Sequence, residues 1–191
     1  MEKELSSKES LALITEMISR AKKEAAGDGS FHLLFWGWVI AICDISHFVL
    51  SKVDFAAPYV VWTLVIPATV ISTVYSRRMA KRARVKTHLD TVLGELWIVI
   101  YIVILALVAF MSVLDFNHNP VILLVSALGV FITGSLIRAK ALKYGAGMLA
   151  LGALIGFMVP VDEQYLVAGI AMILGYLVPG YYLKSSYREQ F

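Results

Sequence analysis

The stretch Thr91–Leu114, TVLGELWIVIYIVILALVAFMSVL, carries one charged residue, Glu95, in 24 positions. A bilayer's hydrocarbon core is crossed by about 20 helical residues, within a range of 17–25. Only a helix or a closed barrel satisfies its own backbone there. The stretch therefore reads as a membrane-crossing helix, and five further apolar segments surround it. They fall near Phe31–Leu50, Pro58–Tyr75, Pro120–Ile137, Tyr144–Val161 and Tyr165–Leu183. The fifth span in chain order, Tyr144–Val161, is short and rich in Gly and Ala, and Pro67 interrupts the second. There a neighbouring helix or water must satisfy the freed carbonyl.

Composition agrees. Of 191 residues, 59% are hydrophobic and 16% charged, and the mean hydropathy is +0.76. Average soluble domains hold roughly 45–50% apolar and about 25% charged residues, so too little polar surface exists here to cover a soluble core. Disorder is excluded on the same ground, and a single cysteine excludes a disulfide scaffold. The first 30 residues hold no long apolar run, with five Lys/Arg and six Asp/Glu. A cleaved signal peptide is therefore not expected.

Basic residues set the orientation. Sixteen of the seventeen Lys and Arg fall in the N-terminal segment, the loop Ser76–Asp90, the loop after the fourth span, or the tail; Lys52 alone lies opposite. Both termini are thus expected in the cytoplasm. The Ser76–Asp90 loop carries Arg77, Arg78, Lys81, Arg82, Arg84 and Lys86. Beside a membrane such a run sets topology and meets anionic headgroups. No aromatic residue interrupts the run, so base stacking has no support and nucleic acid is not an expected partner.

Ser6 to Ala25 reads as an amphipathic helix. Ser6 and Glu9 form a capping-box pattern, S-x-x-E. Leu11, Ile14, Met17, Ile18 and Ala21 recur at three- and four-residue intervals as one stripe. Gly27-Asp28-Gly29 is expected to stop this helix and form a hinge. Lys and Glu share its polar face almost evenly, which favours packing on protein, within the chain or on a partner or second copy, over dedicated lipid binding.

The spans also repeat. Ala106–Met111 running to Asp115 matches Ala153–Met158 running to Asp162, and Phe131–Gly134 with Arg138 matches Leu177–Gly180 with Lys184. The first pair of spans gives a fainter copy: Ser51–Asp54 against Ser112–Asp115, and Val70–Thr73 with Arg77 against Phe131–Gly134 with Arg138. Three parallel helical hairpins are expected. Convergence on small residues and basic anchors is the alternative. Three hairpins also bring mitochondrial carriers to mind, but of their P-x-[DE]-x-x-[KR] signature only Pro160-Val161-Asp162 is present, which excludes that family.

Ionisable residues within spans are functional candidates. Asp44 lies about 20 Å along the first helix from Phe31, counting about 1.5 Å per residue, and His47 follows one turn later on the same face. The pair is suited to relaying protons, holding a cation, or clamping helices. Glu95, near the start of the third span, is placed to pair with water or an arginine of the basic loop. His118 with Asp115 is a weak metal pair and reads better as a solvated turn. Aromatics gather near the expected interfaces, and Phe35-Trp36-Gly37-Trp38 is denser than anchoring requires. Phosphate-loop, zinc-protease, CxxC and nucleophile-elbow motifs are absent. No enzyme activity, cofactor or metal is expected.

Glu9-Ser10-Leu11, Ile14, Met17-Ile18 and Ala21-Lys22, followed by Phe31, Leu34 and Trp36-Gly37-Trp38, resemble a family of small multi-pass membrane proteins from Bacteroidetes-type bacteria. The resemblance covers the first 40 or so residues, with a similar span count beyond. It implies a bacterial cytoplasmic (inner) membrane and no particular activity.

The sequence thus describes an all-α, six-span transmembrane bundle at residues 31–191, preceded by a cytoplasmic amphipathic helix and glycine hinge at 1–30. Its expected role is non-enzymatic, as an interaction or regulatory component of a membrane complex, with a second copy or a membrane protein as partner; the alternative is a small-solute or ion transporter using Asp44 and His47. Reporter fusions after Arg188 and within Ser76–Asp90 should report a cytoplasmic location, and one at Asn117 an external one. A reversal at any of the three breaks the six-span topology.

Overall fold

The structure, a computed structural model, describes residues 7–82 and 88–188. Among them every regular element is helical. The helices are α1 (Ser7–Lys52), α2 (Val65–Arg82), α3 (His88–Ala109), α4 (His118–Leu136), α5 (Lys140–Gly156), α6 (Val161–Met172) and α7 (Val178–Arg188). A 3₁₀ segment, Pro58–Leu64, leads into α2, and a π-helical segment, Ile173–Leu177, joins α6 to α7.

Five stretches are long and apolar enough to cross a membrane: Ser30–Lys52, Pro58–Met79, His88–Ala109, His118–Leu136 and Val161–Ser185. The remaining apolar helix, α5, has 17 residues. It begins four residues earlier than the sequence indicates and ends at Gly156, because Phe157–Val159 turns into Pro160 instead of continuing the helix. The most apolar of the five stretches, on α3, is also the least buried, with 6% of its residues inside the bundle. On this helix hydrophobicity and burial run opposite to the pattern of a water-soluble fold, in keeping with a helix long and apolar enough to cross a membrane.

Two local expectations are corrected. Gly27-Asp28-Gly29 does not form a hinge: α1 passes through it unbroken. Each glycine costs a helix roughly 0.5–1 kcal/mol relative to Ala. Propagating an existing helix adds a hydrogen bond per residue, whereas restarting one requires a new nucleus. Pro67 likewise causes no interruption within a span. The chain is 3₁₀-helical through Leu64, so Pro67 becomes the third residue of α2. In the first helical turn a missing N–H breaks no intrahelical bond.

Left-handed residues end α1 and α4 and close the turn that follows α3. Asp54 (φ 53°) and Asp115 (φ 47°) are each followed by a residue whose N–H reaches back five positions, Phe55 to Leu50 and Phe116 to Met111. Arg138 (φ 60°) ends α4 the same way, with the Ala139 N–H on the Gly134 carbonyl. This is the 6→1 bond of a Schellman motif, which usually has glycine at the left-handed position. Asp54 and Asp115 thus share a left-handed conformation and the bond that follows it, although Asp115 lies six residues beyond the end of α3 and Phe116 (φ 62°) is left-handed as well. Asp162, the expected counterpart of Asp115, sits instead in the first turn of α6.

The core is built where α4, α5 and α6 pack on one another, with α1 lying against α6 and α7. Leu123, Val130, Leu142, Leu149, Ala153 and Ala168 are buried there. Between membrane helices, close packing substitutes for the hydrophobic effect, and small residues permit it. The closest approach of a glycine to another helix's backbone is at Gly145 on α5: a Cβ placed there would lie 2.5 Å from the Gly175 carbonyl oxygen and 2.8 Å from Pro179 Cγ. Pro179 has no N–H to give to the carbonyl four residues back, which is that of Gly175. The ladder shifts to π geometry at this point, and proline and π-bulges are recognised causes of such breaks. Gly147, two residues from Gly145, has nothing within 4 Å of its Cβ position.

These two glycines should therefore behave oppositely. In detergent-solubilised protein, Gly145→Ala should lower thermal stability by about 1–3 kcal/mol through overpacking. Gly147→Ala should leave it unchanged or raise it by about 0.5–1 kcal/mol. Equal effects would contradict the packing described.

Candidate functional site

Two polar networks lie on opposite halves of the apolar span of α1, Ser30–Lys52, and they differ in how completely they are satisfied. The first joins α1 to α2 near Arg77. The Trp36 indole N–H donates to Ser72 Oγ (3.3 Å), and the Ser76 hydroxyl donates to the Ser72 carbonyl (2.9 Å). Ser72 Oγ lies 3.3 Å from His32 Nδ1, and Ser76 Oγ lies 3.1 Å from His32 Nε2. One assignment satisfies all of these. Ser76 has spent its proton, so His32 Nε2–H donates to it, and Ser72 donates to the unprotonated Nδ1. The network closes on itself as a structural clamp. Phe31 adds a stacked contact with Tyr75, 3.7 Å between ring centres. Three residues of the dense run Phe35–Trp38 each have a specific neighbour. Trp36 bonds Ser72, Gly37 lies against Tyr176 and Leu177, and the Trp38 indole donates to the Tyr181 hydroxyl at 3.2 Å.

The second network lies toward the other end of α1, where the Lys52–Glu163 ion pair (2.7 Å) joins α1 to the start of α6. That pair is exposed, so solvent screens it and it adds little to stability. Deeper along α1 is Asp44, 2% exposed, with its Oδ1 unpartnered. Asp44 is enclosed by α6: a Cβ on Gly169 would come within 3.4 Å of Asp44 Cβ and 2.8 Å of Ile45 Cγ1. One turn on, His47 is buried and stacks on Tyr165 of α6, with ring centres 3.8 Å apart. Its Nδ1 accepts the Trp62 indole N–H at 3.0 Å. A nitrogen that accepts carries no proton, so His47 is neutral with its proton on Nε2. The Cys43 thiol donates to the Val61 carbonyl (3.4 Å). These two bonds fasten the 3₁₀ segment to α1.

α4 completes the cluster. His118, its first residue, is buried and sets its ring edge toward Tyr165 at 6.4 Å. Gln164, 1% exposed, donates from Nε2 to Asn117 Oδ1 at 2.7 Å. Four buried atoms at this end have no hydrogen-bond partner: Asp44 Oδ1, His118 Nδ1, Asn119 Nδ2 and Gln164 Oε1. Leaving such a group unpaired costs about 1–3 kcal/mol. The contrast with the closed His32 clamp marks this end as the part of the molecule where polar capacity exceeds what folding uses.

The Asp44–His47 hydrogen bond open to the sequence does not form. Their shared face leads each side chain to a different neighbour, Asp44 to Gly169 and His47 to Trp62 and Tyr165. Glu95 is exposed on α3, which takes no part in the cluster. Arg77, Arg78 and Lys81 are exposed on α2, which ends at Arg82, while Arg84 and Lys86 lie outside the described residues. The solvated-turn reading of His118 is corrected: packing of α4 against α6 buries it. Gln164, Asn119 and the His32–Ser72–Ser76 set went unnoticed in the sequence. Polar residues at a helix start look like ordinary turn residues, and only the pairing of helices brings them inside. Among the described residues no three His, Cys, Asp or Glu side chains converge to hold a metal ion. Comparison with protein-family models, curated proteins and solved structures finds no match.

Trp62→Phe keeps the ring and removes the donor, leaving His47 Nδ1 buried and unpaired. The expected cost is about 1–3 kcal/mol in thermal unfolding. Combined with His47→Leu, which removes the acceptor, Trp62→Phe should cost markedly less than it does alone. Strict additivity of the two changes would show that the bond does not hold the 3₁₀ segment.

Proposed function

We propose that this chain is a non-enzymatic integral membrane protein, an interaction or regulatory component of a membrane complex, built to cross a bacterial inner membrane six times with both termini in the cytoplasm. The five long apolar helices support a multi-pass arrangement. The sixth crossing is assigned to α5, whose 17 residues reach the lower limit of a spanning helix. The one-sided distribution of Lys and Arg supports the orientation. Hairpins are the arrangement that alternating crossings require, and the matching left-handed turns at Asp54 and Asp115 favour a repeat for the first two.

The observation that carries the reading is α1. It runs unbroken for 46 residues, about 69 Å at 1.5 Å per residue. Its apolar span is Ser30–Lys52. The preceding turns, about 35 Å of helix, extend from the same rod that carries Asp44 and His47. A contact made on the stripe Leu11, Ile14, Met17, Ile18 and Ala21 is therefore passed to the buried cluster through continuous backbone, with no joint between them. The natural occupant of the stripe is another protein chain or a second copy, since Lys and Glu share the polar face almost evenly and leave little net attraction to anionic lipid.

Transport of a small solute or ion is the second reading, favoured by one observation: the unpartnered Oδ1 of Asp44. The two readings separate experimentally. Complexes isolated from native membranes should lose their co-purifying chain, or their self-association, when Ile14 and Ile18 are both changed to Asp, with membrane insertion unchanged. Asp44→Asn should leave those complexes intact. Intact complexes in the double variant, together with loss of proton- or solute-coupled flux in Asp44→Asn, would reverse the order of the two readings.

A further inference from the structure

A groove of about 630 Å³ lies on the outside of the bundle where α1, α2 and α7 meet. Phe31, Trp38 and Ile42 line it from α1, Tyr75 from α2, and Tyr181 and Lys184 from α7. Trp38, Ile42 and Tyr181 are each about half exposed, so the groove opens away from the core. Its walls are held by two contacts: the Phe31–Tyr75 stack and the Trp38–Tyr181 hydrogen bond.

The groove is polarised. α7 runs antiparallel to α1, since Gly37 faces Leu177 and Gly180 faces Leu33 and Leu34. Lys184, one turn beyond Gly180, is therefore level with Ser30. α2 is also antiparallel to α1, with Trp36 on Ser72 and His32 on Ser76. This sets the exposed Arg77 and Arg78 at the same level. One end of the groove is thus cationic and the other, at Ile42, is apolar. From Ser30 to Ile42 the rise along α1 is about 18 Å at 1.5 Å per residue. One leaflet's hydrocarbon is about 15 Å deep, half of a core about 30 Å thick.

We infer that this groove is a binding site for one anionic phospholipid, with an acyl chain lying along α1 from Phe31 to Ile42 and the phosphate at Lys184. Length, apolar lining and a single charged end match that ligand together. The site rests on the membrane reading above, and the proposed orientation places it in the cytoplasmic leaflet, where a juxtamembrane cation attracts anionic headgroups. Interfacial aromatics suit the level just inside the headgroups.

The test is native mass spectrometry of the full chain, purified in detergent and titrated with dioleoyl phosphatidylglycerol or dioleoyl phosphatidylcholine. The expected result is one retained lipid per chain with phosphatidylglycerol preferred about fivefold, the size of effect one juxtamembrane cation supplies. Lys184→Gln should remove that preference while leaving the melting temperature unchanged. Ile42→Trp, which fills the apolar end and leaves the charge alone, should reduce retention of both lipids. Equal retention of the two lipids by the unaltered chain overturns the inference. So does a preference that survives Lys184→Gln, or a lipid-free dimer as the retained species. These ratios are independent of whether changing Ile14 and Ile18 releases a partner chain, so failure of one proposal is distinguishable from failure of the other.

Discussion

There is no room for a methyl group between Gly145 and the carbonyl of Gly175, and much of the bundle depends on that closeness. Lipid chains are as apolar as leucine, so helices in a bilayer gain nothing from hiding apolar surface from one another; they hold by close packing and hydrogen bonds. Proline at 179 frees the Gly175 carbonyl, the π segment shifts the chain, and a glycine on α5 lets the two backbones meet. The same rod, α6 through α7, then meets α1 at Gly169, where Ala41, Asp44 and Ile45 crowd in, and at Gly37, where Leu177 and Tyr176 do. α1 is thereby fixed along most of its apolar length.

On that frame the two polar networks serve different purposes. His32, Trp36, Ser72 and Ser76 use every donor and acceptor on one another and fasten α2, a helix with few other contacts to the core, onto α1. The cluster of Asp44, His47, Tyr165, His118 and Gln164 is organised around a stack of rings but leaves polar atoms over. Buried groups left unpaired cost stability, and such local costs concentrate where a protein does something other than fold. Because both networks hang on α1, a displacement of that helix reaches both.

The helical class and the approximate spans were legible in the sequence because long apolar runs admit one reading: Thr91–Leu114 was recognisable without any neighbour. The Gly and Ala content of the fifth span was legible, and of Gly145, Gly147, Gly152 and Gly156 on α5 all but Gly147 have a packing neighbour within 4 Å of the Cβ position. What depended on cooperativity or on pairing was not. Gly27 and Gly29 carry a stop signal that neighbouring helix overrides. Pro67 looks like a break until the preceding turn is known to be 3₁₀. The sharing of His47 between Trp62 and Tyr165 spans three segments far apart in sequence, which no periodicity reports. Asp44 was visible as an acid within an apolar span, but its neighbour proved to be a glycine on α6 and not the histidine one turn away.

The central claim is that α1 is a single rod linking the N-terminal stripe to the buried cluster. It is tested most directly by double electron–electron resonance between spin labels at Ala12 and Ile42 in a Cys43→Ser background, with the protein in a lipid nanodisc. An unbroken helix places these positions 30 residues apart, about 45 Å at 1.5 Å per residue, in one narrow distance distribution. A broad distribution, or a peak well short of that distance, would show that Gly27-Asp28-Gly29 bends after all and would contradict the account.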